Sequence, residues 1–548
     1  MGGPPKILLS STFKPCGVDD LYGRKECVAE VHHNQLTQRQ GIYSPRYWWP
    51  MMGLHVIAAN LDGCEVTVLD WPTLDRFEAE VASGGYDYVG ISFIHPTLGK
   101  MRKMCERVRA LSPRSKIIAG GFGVTISELP RLCDVDYICK GEGIRFMRNL
   151  LGLPPEFVFR HPDLHCEIVQ LLGLPTRPLI PLFRALGKDV SGLFTNIIIT
   201  GLGCPHGCEF CSTSHFYDCR HLPFFRTGAE IFSEMRRRVP LTGSNAFFFL
   251  GDENFFVDKK RLEELWRLQR DSDQDYVIRL TFGSVDQLLR YDPEMLAELD
   301  LDHIWVGLES QQFPFPKTKN RDVAGLLDSL KAVGVKTILS SILFLEGHTK
   351  ENMKKDVDFH LSLRPEHSQF AGLAVVEGPP IYERFDEEGR LFKSIPMEDR
   401  HAFKQIWFWH PEFTLAESED CQREAYLRDF HELGPSMMRS MMTSARAVRR
   451  LEASGKPRLL RRAKRLRDEA RAARVLCRAC ADVADTPAMR SMLEGWLDEL
   501  LELCGPLTAV DKAEAAAVAT CAKARKFHHR RFGDTIQPRT ARTVYPRR

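Results

Sequence analysis

Short β-branched runs alternate with helical stretches through the first 150 residues. Lys6–Leu9 (KILL), Glu65–Leu69 (EVTVL), Tyr88–Phe93 (YVGISF), Lys116–Ala119 (KIIA) and Asp136–Cys139 (DYIC) read as strands. Leu98–Ala110 reads as a helix with Met101, Cys105 and Val108 on one face. Strands alternating with helices predict βαβ units and a parallel, doubly wound sheet. Ligands of such sheets sit beyond the carboxyl ends of the strands. Those ends carry Ser92, then Gly120-Gly121-Phe122-Gly123 with Thr125, then Gly141-Glu142-Gly143. A single glycine there is ordinary turn chemistry, but three glycine-bearing loops on one edge leave room for a bulky ligand to approach the backbone.

Residues 151–192 hold Pro154, Pro155, Pro162, Pro175, Pro178 and Pro181 and read as a linker. A second α/β series follows over 193–400, with strands at Asn196–Thr200, Ala246–Leu250, Arg279–Phe282, His303–Gly307, Lys336–Leu339 and Gly372–Val376. Amphipathic helices such as Lys260–Arg270 and Ala324–Ala332 separate them. Six strands are too few for a closed eightfold barrel and predict a partial one. Residues 401–525 are predicted helical, with Ala, Arg, Leu and Glu dominating from Met437 onward, and 526–548 read as a basic tail. Met437–Arg474 carries thirteen Arg/Lys against three Asp/Glu. Such a helix suits an anionic membrane surface or nucleic acid. It is equally a solvated face with snorkelling arginines.

Composition narrows the class. The 548 residues are 44% apolar and 27% charged, which excludes wholesale disorder. The net charge of +3 gives no global field to recruit nucleic acid. Apolar runs fall short of the ~20 residues of a spanning helix. Met1–Lys6 lacks the basic and apolar regions of a secretory signal, and Lys6 spoils a myristoylation reading. Sixteen cysteines then imply reduced thiols in a cytoplasm, where clusters mean metal more readily than disulfides.

One such cluster follows the strand Asn196–Thr200: Gly201-Leu202-Gly203-Cys204-Pro205-His206-Gly207-Cys208-Glu209-Phe210-Cys211. Three cysteines at C-x3-C-x2-C in a turn-rich loop can fill three corners of a four-iron cube and leave one iron open. The alternative is zinc held by Cys204, Cys208, Cys211 and either His206 or His215, but no second pair of ligands is near.

The loop resembles the radical S-adenosylmethionine (SAM) superfamily signature C-x3-C-x-aromatic-C, with Phe210 as the aromatic. The resemblance extends from about Asn196 to Arg390. It implies a partial (β/α)6 barrel and a [4Fe-4S] cluster on Cys204, Cys208 and Cys211 that chelates the amino and carboxylate groups of SAM. Gly251-Asp252-Glu253-Asn254 would meet the SAM amino group, and Ser284, Glu309 and Ser341 its ribose and carboxylate; a carboxylate at Glu309 could equally be a helix cap. The amino-terminal half resembles the Rossmann-like cobalamin-binding domain of class B radical SAM methyltransferases. Ser92, Gly120, Gly121, Gly123, Thr125, Glu142 and Gly143 would cradle the nucleotide tail. No D-x-H-x-x-G ligand motif is found; in Asp163-Leu164-His165, Ile168 replaces the glycine. The lower face of cobalt is therefore expected to lack a histidine.

Together the two cofactors imply methylation of an unactivated carbon. A 5′-deoxyadenosyl radical takes a hydrogen atom, and the substrate radical takes a methyl group from methylcobalamin that a second SAM restores. The electron donor would be a flavodoxin or ferredoxin. The runs Gln35–Gly41, Gly251–Phe255, Trp407–Pro411 and Gly434–Ser436 are similar, more loosely, to hopanoid C-3 methylases. A lipid or polycyclic substrate is thus expected, with Trp407, Phe408 and Trp409 as pocket wall or as core, and the basic helices suit a peripheral position at the inner membrane face. Cys477 and Cys480 lie in alanine-rich helix and read as packing residues. The rival readings are a non-methylating radical reaction, a tRNA-modifying enzyme whose usual β-barrel appendage is missing here, and a cofactor sensor without catalysis.

Overall fold

The structure is a computed structural model that describes residues 5–24, 36–185, 187, 189–242, 246–533 and 536–547. Met1–Pro4 and Gln35 lie outside them. The amino-terminal sheet runs, edge to edge, Ala541–Tyr545, Glu65–Asp70, Lys6–Ser11, Tyr88–Ser92, Lys116–Gly120 and Tyr137–Ile138. The last five strands are parallel and match the predicted ones within a few residues. Alternate side chains go to opposite layers. Leu8, Leu69, Val89, Ile91 and Ile117 pack against Phe77, Val81, Met101 and Val108 of the helices Leu74–Gly84 and Leu98–Leu111. Ile7, Leu9, Val66, Val68 and Ile118 pack against Leu54 and Met147 of the helices Met52–Ala58 and Gly143–Leu150. Burial on both faces is why these strands read as near-continuous apolar runs.

The sixth strand of this sheet corrects the expectation of a basic tail. A helix spans Ala509–Phe532, and Ala541–Tyr545 then returns as an antiparallel edge strand, with Val544 opposite Thr67. Its alternating A-R-T-V-Y pattern suits an edge, with Arg542 turned onto Glu80 at 2.9 Å.

The second sheet has nine strands. Six are parallel: Phe194–Ile199, Ala246–Gly251, Tyr276–Gly283, Leu301–Glu309, Lys336–Leu343 and His367–Gly372. The expected sixth strand, Gly372–Val376, is displaced. The apolar run Leu373–Val376 is loop, with Leu373 and Val375 buried, whereas the mixed sequence His367–Gly372 is strand. Polar residues are tolerated there because a helix replaces a neighbouring strand: Tyr426 Oη accepts from Phe370 N (3.0 Å) and Gln422 Nε2 donates to Phe370 O (2.8 Å). The presumed linker is also sheet. Leu164–Leu171 pairs antiparallel with Phe194–Ile199 and carries Arg46–Trp48 on its outer side.

The open side of this half-barrel is bridged by the segment that precedes Arg46. Gln40 accepts from Ser436 N (3.1 Å) and donates to Ser436 Oγ (2.6 Å), while Asp429 accepts from Ser368 Oγ (2.6 Å) and Arg439 Nη1 (2.8 Å). Gln40 and Ser436 therefore meet at a structural seam.

Helices Leu415–Leu433, Ser436–Ala453, Pro457–Asp482 and Pro487–Cys504 complete the molecule with Ala509–Phe532. Part of their basic face is turned inward. Arg458, Arg462 and Arg465 converge on buried Asp300 at the foot of the barrel, at 3.9, 2.5 and 2.7 Å. Arg446, Arg449, Arg467 and Arg471 pair with Glu499, Glu502, Glu452 and Asp468. Three of the thirteen basic residues counted in this region are thus spent on the barrel, and no helix among the described residues is long and apolar enough to cross a membrane. Cys477 and Cys480 lie in the apolar core of this region, as packing residues.

Candidate functional site between the two sheets

The cysteine loop leaves the barrel through Gly201–Leu202, which pairs with Leu222–Pro223. Gly203 has φ +75, and a Cβ there would stand 2.2 Å from the Arg220 carbonyl oxygen, so the turn admits only glycine. Inside the loop Ser214 Oγ donates to Cys204 O (2.6 Å) and accepts from Gly207 N (3.0 Å). Cys211 N and His215 Nε2 both donate to Cys208 O (2.9 and 3.1 Å). All three cysteines are half-buried, and burial raises their thiols, Cys208 to about 11. The N–H of His206 faces the Cys204 sulfur, and those of Thr213 and Ser214 face the Cys211 sulfur, which favours thiolate.

Desolvated thiols backed by N–H donors suit an iron–sulfur cluster. Among the described residues no three His, Cys, Asp or Glu side chains converge closely enough to share one metal ion. Three cysteines match the three protein-held corners of a four-iron cube.

Beyond the strand Ala246–Gly251, Asp252 and Glu253 behave differently. Asp252 is clamped by His221 Nε2 (3.0 Å) and Arg261 Nη2 (2.8 Å), which outweigh burial and keep it ionised, so it holds the loop. Glu253 is pushed up to about 7 by burial, and its Oε2 is buried without a partner. Asn254 Oδ1 is likewise orphaned, while Asn254 Nδ2 reaches His206 Nε2 (3.1 Å) and Ser284 Oγ (3.5 Å). Orphaned acceptors beside a cysteine loop fit the donor groups of SAM. Glu309 ends its strand at φ +63 and pairs with Lys317 Nζ at 2.5 Å. Burial works against the lysine ammonium, but Glu309 outweighs it and raises Lys317 to about 12. Phe210 stacks edge-on against Phe315, their centres 5.2 Å apart. Ser341 is a correction: it faces the helices, bonded to buried His360 at 2.8 Å, and does not reach the site. Trp407 and Phe408 are also core, and Trp409 is solvent-exposed, so none of the three walls a pocket.

The glycine loops of the first sheet come out opposite this mouth. Ser92 and Gly120 are paired strand ends, and a Cβ on Gly120 would meet only the Ile91 carbonyl oxygen, at 3.9 Å. Gly121 (φ +85) and Gly123 are required locally, because side chains there would strike Phe93. Thr125 Oγ1 bonds His95 Nε2 at 3.0 Å. Glu142 is spent as a helix cap, accepting from Ile144 N (2.5 Å) and Arg145 N (3.1 Å), and Gly143 lets that helix lie on Ile57. An open glycine edge of this kind fits a large cofactor such as cobalamin. Phe122 meets Phe216, just past the last cysteine, at 4.9 Å, and Ser127 N donates to Glu377 Oε2 at 2.6 Å. Tyr217, raised by burial and by Glu253 and Glu142, lies between the two edges. The sequence does not single out Tyr217 or Lys317 as members of this site, and offers His206 only as a zinc ligand.

Residues 42–151 match the family model described as B12 binding domain, and residues 198–360 that of the Radical SAM superfamily. A search of curated proteins finds no match. Among solved structures, the chain is similar to the radical S-adenosylmethionine methyltransferase TsrM from Kitasatospora setae. With tryptophan substrate and the SAM analog aza-SAM bound, that structure shares 15% identity, a TM-score of 0.51, 78% of this chain and 89% of its own. With cobalamin and a [4Fe-4S] cluster bound, the values are 15%, 0.52, 84% and 99%. At that identity the likeness is one of fold, and it agrees with both domain matches. The chain therefore joins a B12-binding domain to a radical SAM domain that follows it.

Proposed function

We propose that the protein methylates an unactivated carbon of a small molecule. The observation that carries this reading is the meeting of two cofactor edges: Phe122 and Ser127 on the first sheet touch Phe216 and Glu377 at the mouth of the second. Cys204, Cys208 and Cys211 would hold the cluster. Phe210, Gly251, Glu253, Asn254, Ser284 and Glu309 would meet SAM, and Ser92, Gly120, Gly121, Gly123 and Thr125 cobalamin. When bound, these groups supply hydrogen-atom abstraction and a transferable methyl group. The chain's own part is orientation and exclusion of water: Glu253 and Asn254 present unpaired oxygens, Gly120 withholds a side chain, and Phe122 and Phe216 close the gap. A cavity lined by His206, Gly207, Cys208, Glu209, Phe315 and Lys317 brings the cysteine loop to solvent and suits electron entry from a flavodoxin or ferredoxin. TsrM is bound to tryptophan; a small molecule is the substrate class favoured here, because Trp407 and Phe408, which suggested a lipid pocket, are core, and Arg458, Arg462 and Arg465 of the basic helix are spent on Asp300.

Anaerobic reconstitution with iron, sulfide and hydroxocobalamin, then SAM and dithionite, tests the reading. S-adenosylhomocysteine together with 5′-deoxyadenosine is expected. Deoxyadenosine alone would leave a radical enzyme that does not methylate. Cys208→Ala should abolish the cluster's visible absorbance and SAM cleavage while cobalamin stays bound; a SAM-cleaving variant would overturn the cluster assignment.

A further inference from the structure

Strand register places rows of side chains on the concave face of the half-barrel, the face opposite Ile304, Val306 and Leu339, which pack under the helices. Phe282, Trp305, Ile338 and His367 are successive partners in one row. The row above it, toward the cysteine loop, is Gly307, Ser340 and Gln369. A filled barrel stacks bulky aliphatic side chains in such rows. Here a glycine, a serine and an amide stand over an aromatic row. Phe282, Trp305, Ser340, Gln369 and His367 stay partly exposed although they point to the barrel's middle.

The aromatic row is built and oriented. Phe282 and Trp305 stack 5.4 Å apart at 26°, and Phe249 and Trp49 continue the wall edge-on at 6.0 and 5.4 Å. Trp305 Nε1 donates to Ser340 Oγ (2.6 Å), which donates to Gln369 Oε1 (2.7 Å), so the indole plane is fixed. On the floor, Ser440 bonds His367 Nε2 at 3.0 Å, and His367 Nδ1 is buried without a partner. Above Gly307 sits the Glu309–Lys317 pair: a Cβ on Gly307 would stand 2.2 Å from Glu309 Oε1.

We propose that the middle of the barrel, where these side chains stay partly exposed, is the substrate chamber and that its occupant is a flat aromatic or fused-ring molecule carrying a hydrogen-bonding group. The ring lies against Phe282 and Trp305, and the polar group meets Ser340 and Gln369. Flat rings gain from offset or edge-on aromatic partners, whereas an aliphatic chain gains only area. The inference rests on the proposed function for what happens to the ring; binding is separable from it.

Equilibrium dialysis of the cofactor-loaded full chain against naphthalene, 2-naphthol and decan-1-ol tests it. Both ring probes should bind, and decan-1-ol at least about tenfold more weakly. Trp305→Leu should weaken both ring probes about tenfold, Trp305→Phe should keep naphthalene within about threefold, and Ser340→Ala, which also frees the indole, should weaken 2-naphthol more than naphthalene. Cluster and cobalamin absorbance reports whether each variant folds; if Trp305→Leu does not, Phe282→Leu takes its place. Equal binding of decan-1-ol, no binding of either ring probe, or affinities unmoved by Trp305→Leu and Phe282→Leu would overturn the proposal. Ring binding without any methyl transfer would overturn the proposed function and leave the chamber standing.

Discussion

Glu253 is the residue whose chemistry depends most on what lies beside it. Its carboxyl is held near 7 by burial, so the ionised form is disfavoured in the folded apoprotein. An acid raised on folding costs nothing below its unfolded value and its full penalty above its folded one. Cluster-free protein should therefore lose up to about 3 kcal/mol of stability as pH rises from about 4.5 through 7. Glu253→Gln, which cannot ionise, should melt higher than wild type at pH 8, match it at pH 4 and weaken SAM binding. Equal melting temperatures at pH 8 would show that the carboxylate is solvated. Sequence could not separate Glu253 from Asp252, since both stand in one four-residue run. Only the packing of Arg261 and His221 onto Asp252 shows which carboxylate is spare. Ser341 failed for a related reason. Ser340 and Ser341 are adjacent and chemically identical, and the two-residue period of a strand sends one to the barrel's middle and the other to its helices. The cysteines were legible because three thiols at that spacing have few uses; Lys317 was not, because its value comes from a loop that folds back over Gly307.

At the scale of elements, the parallel strands were legible because double burial writes itself as β-branched runs, and the helices because one face is apolar. The errors came where side chains replace backbone. The strand His367–Gly372 is polar since Tyr426 and Gln422 satisfy its free edge. The basic helix looked like a surface because its counter-charges are remote in sequence, Asp300 above all. Asp300 is buried at a positive φ and takes Arg462 and Arg465 together. Asp300→Asn keeps a residue type that accepts this backbone but removes the charge, leaving buried guanidinium groups uncompensated. We expect a loss of about 3–5 kcal/mol in urea unfolding. Arg449→Ala, on an exposed pair with Glu502, should cost less than about 1 kcal/mol. Similar losses for the two would mean that the foot of the barrel is wetter than its packing indicates.

Over the whole molecule, the chain fastens its ends onto distant parts of itself. The amino-terminal segment bridges the half-barrel through Gln40 and Ser436, and the carboxyl-terminal strand completes the cobalamin-domain sheet. That second closure is extensive. Gln537 exchanges two hydrogen bonds with the Cys16 backbone, Trp48 Nε1 donates to Arg539 O (3.1 Å), and Thr540 Oγ1 donates to Trp71 O (2.6 Å). Arg542 holds Glu80, and Tyr545 Oη bonds His55, whose other ring nitrogen bonds Asp70 at 2.8 Å. Truncation after Gly533 removes all of these at once and uncovers Glu65–Asp70 as a bare strand edge. The cysteine loop, by contrast, touches none of them. The truncated protein should therefore keep its cluster absorbance but melt several degrees lower and release cobalamin faster. Tyr545→Phe, which removes a single bond to His55, should cost only about 1 kcal/mol. If truncation instead lowered cluster content and left cobalamin retention unchanged, the last strand would be serving the barrel rather than the sheet it joins.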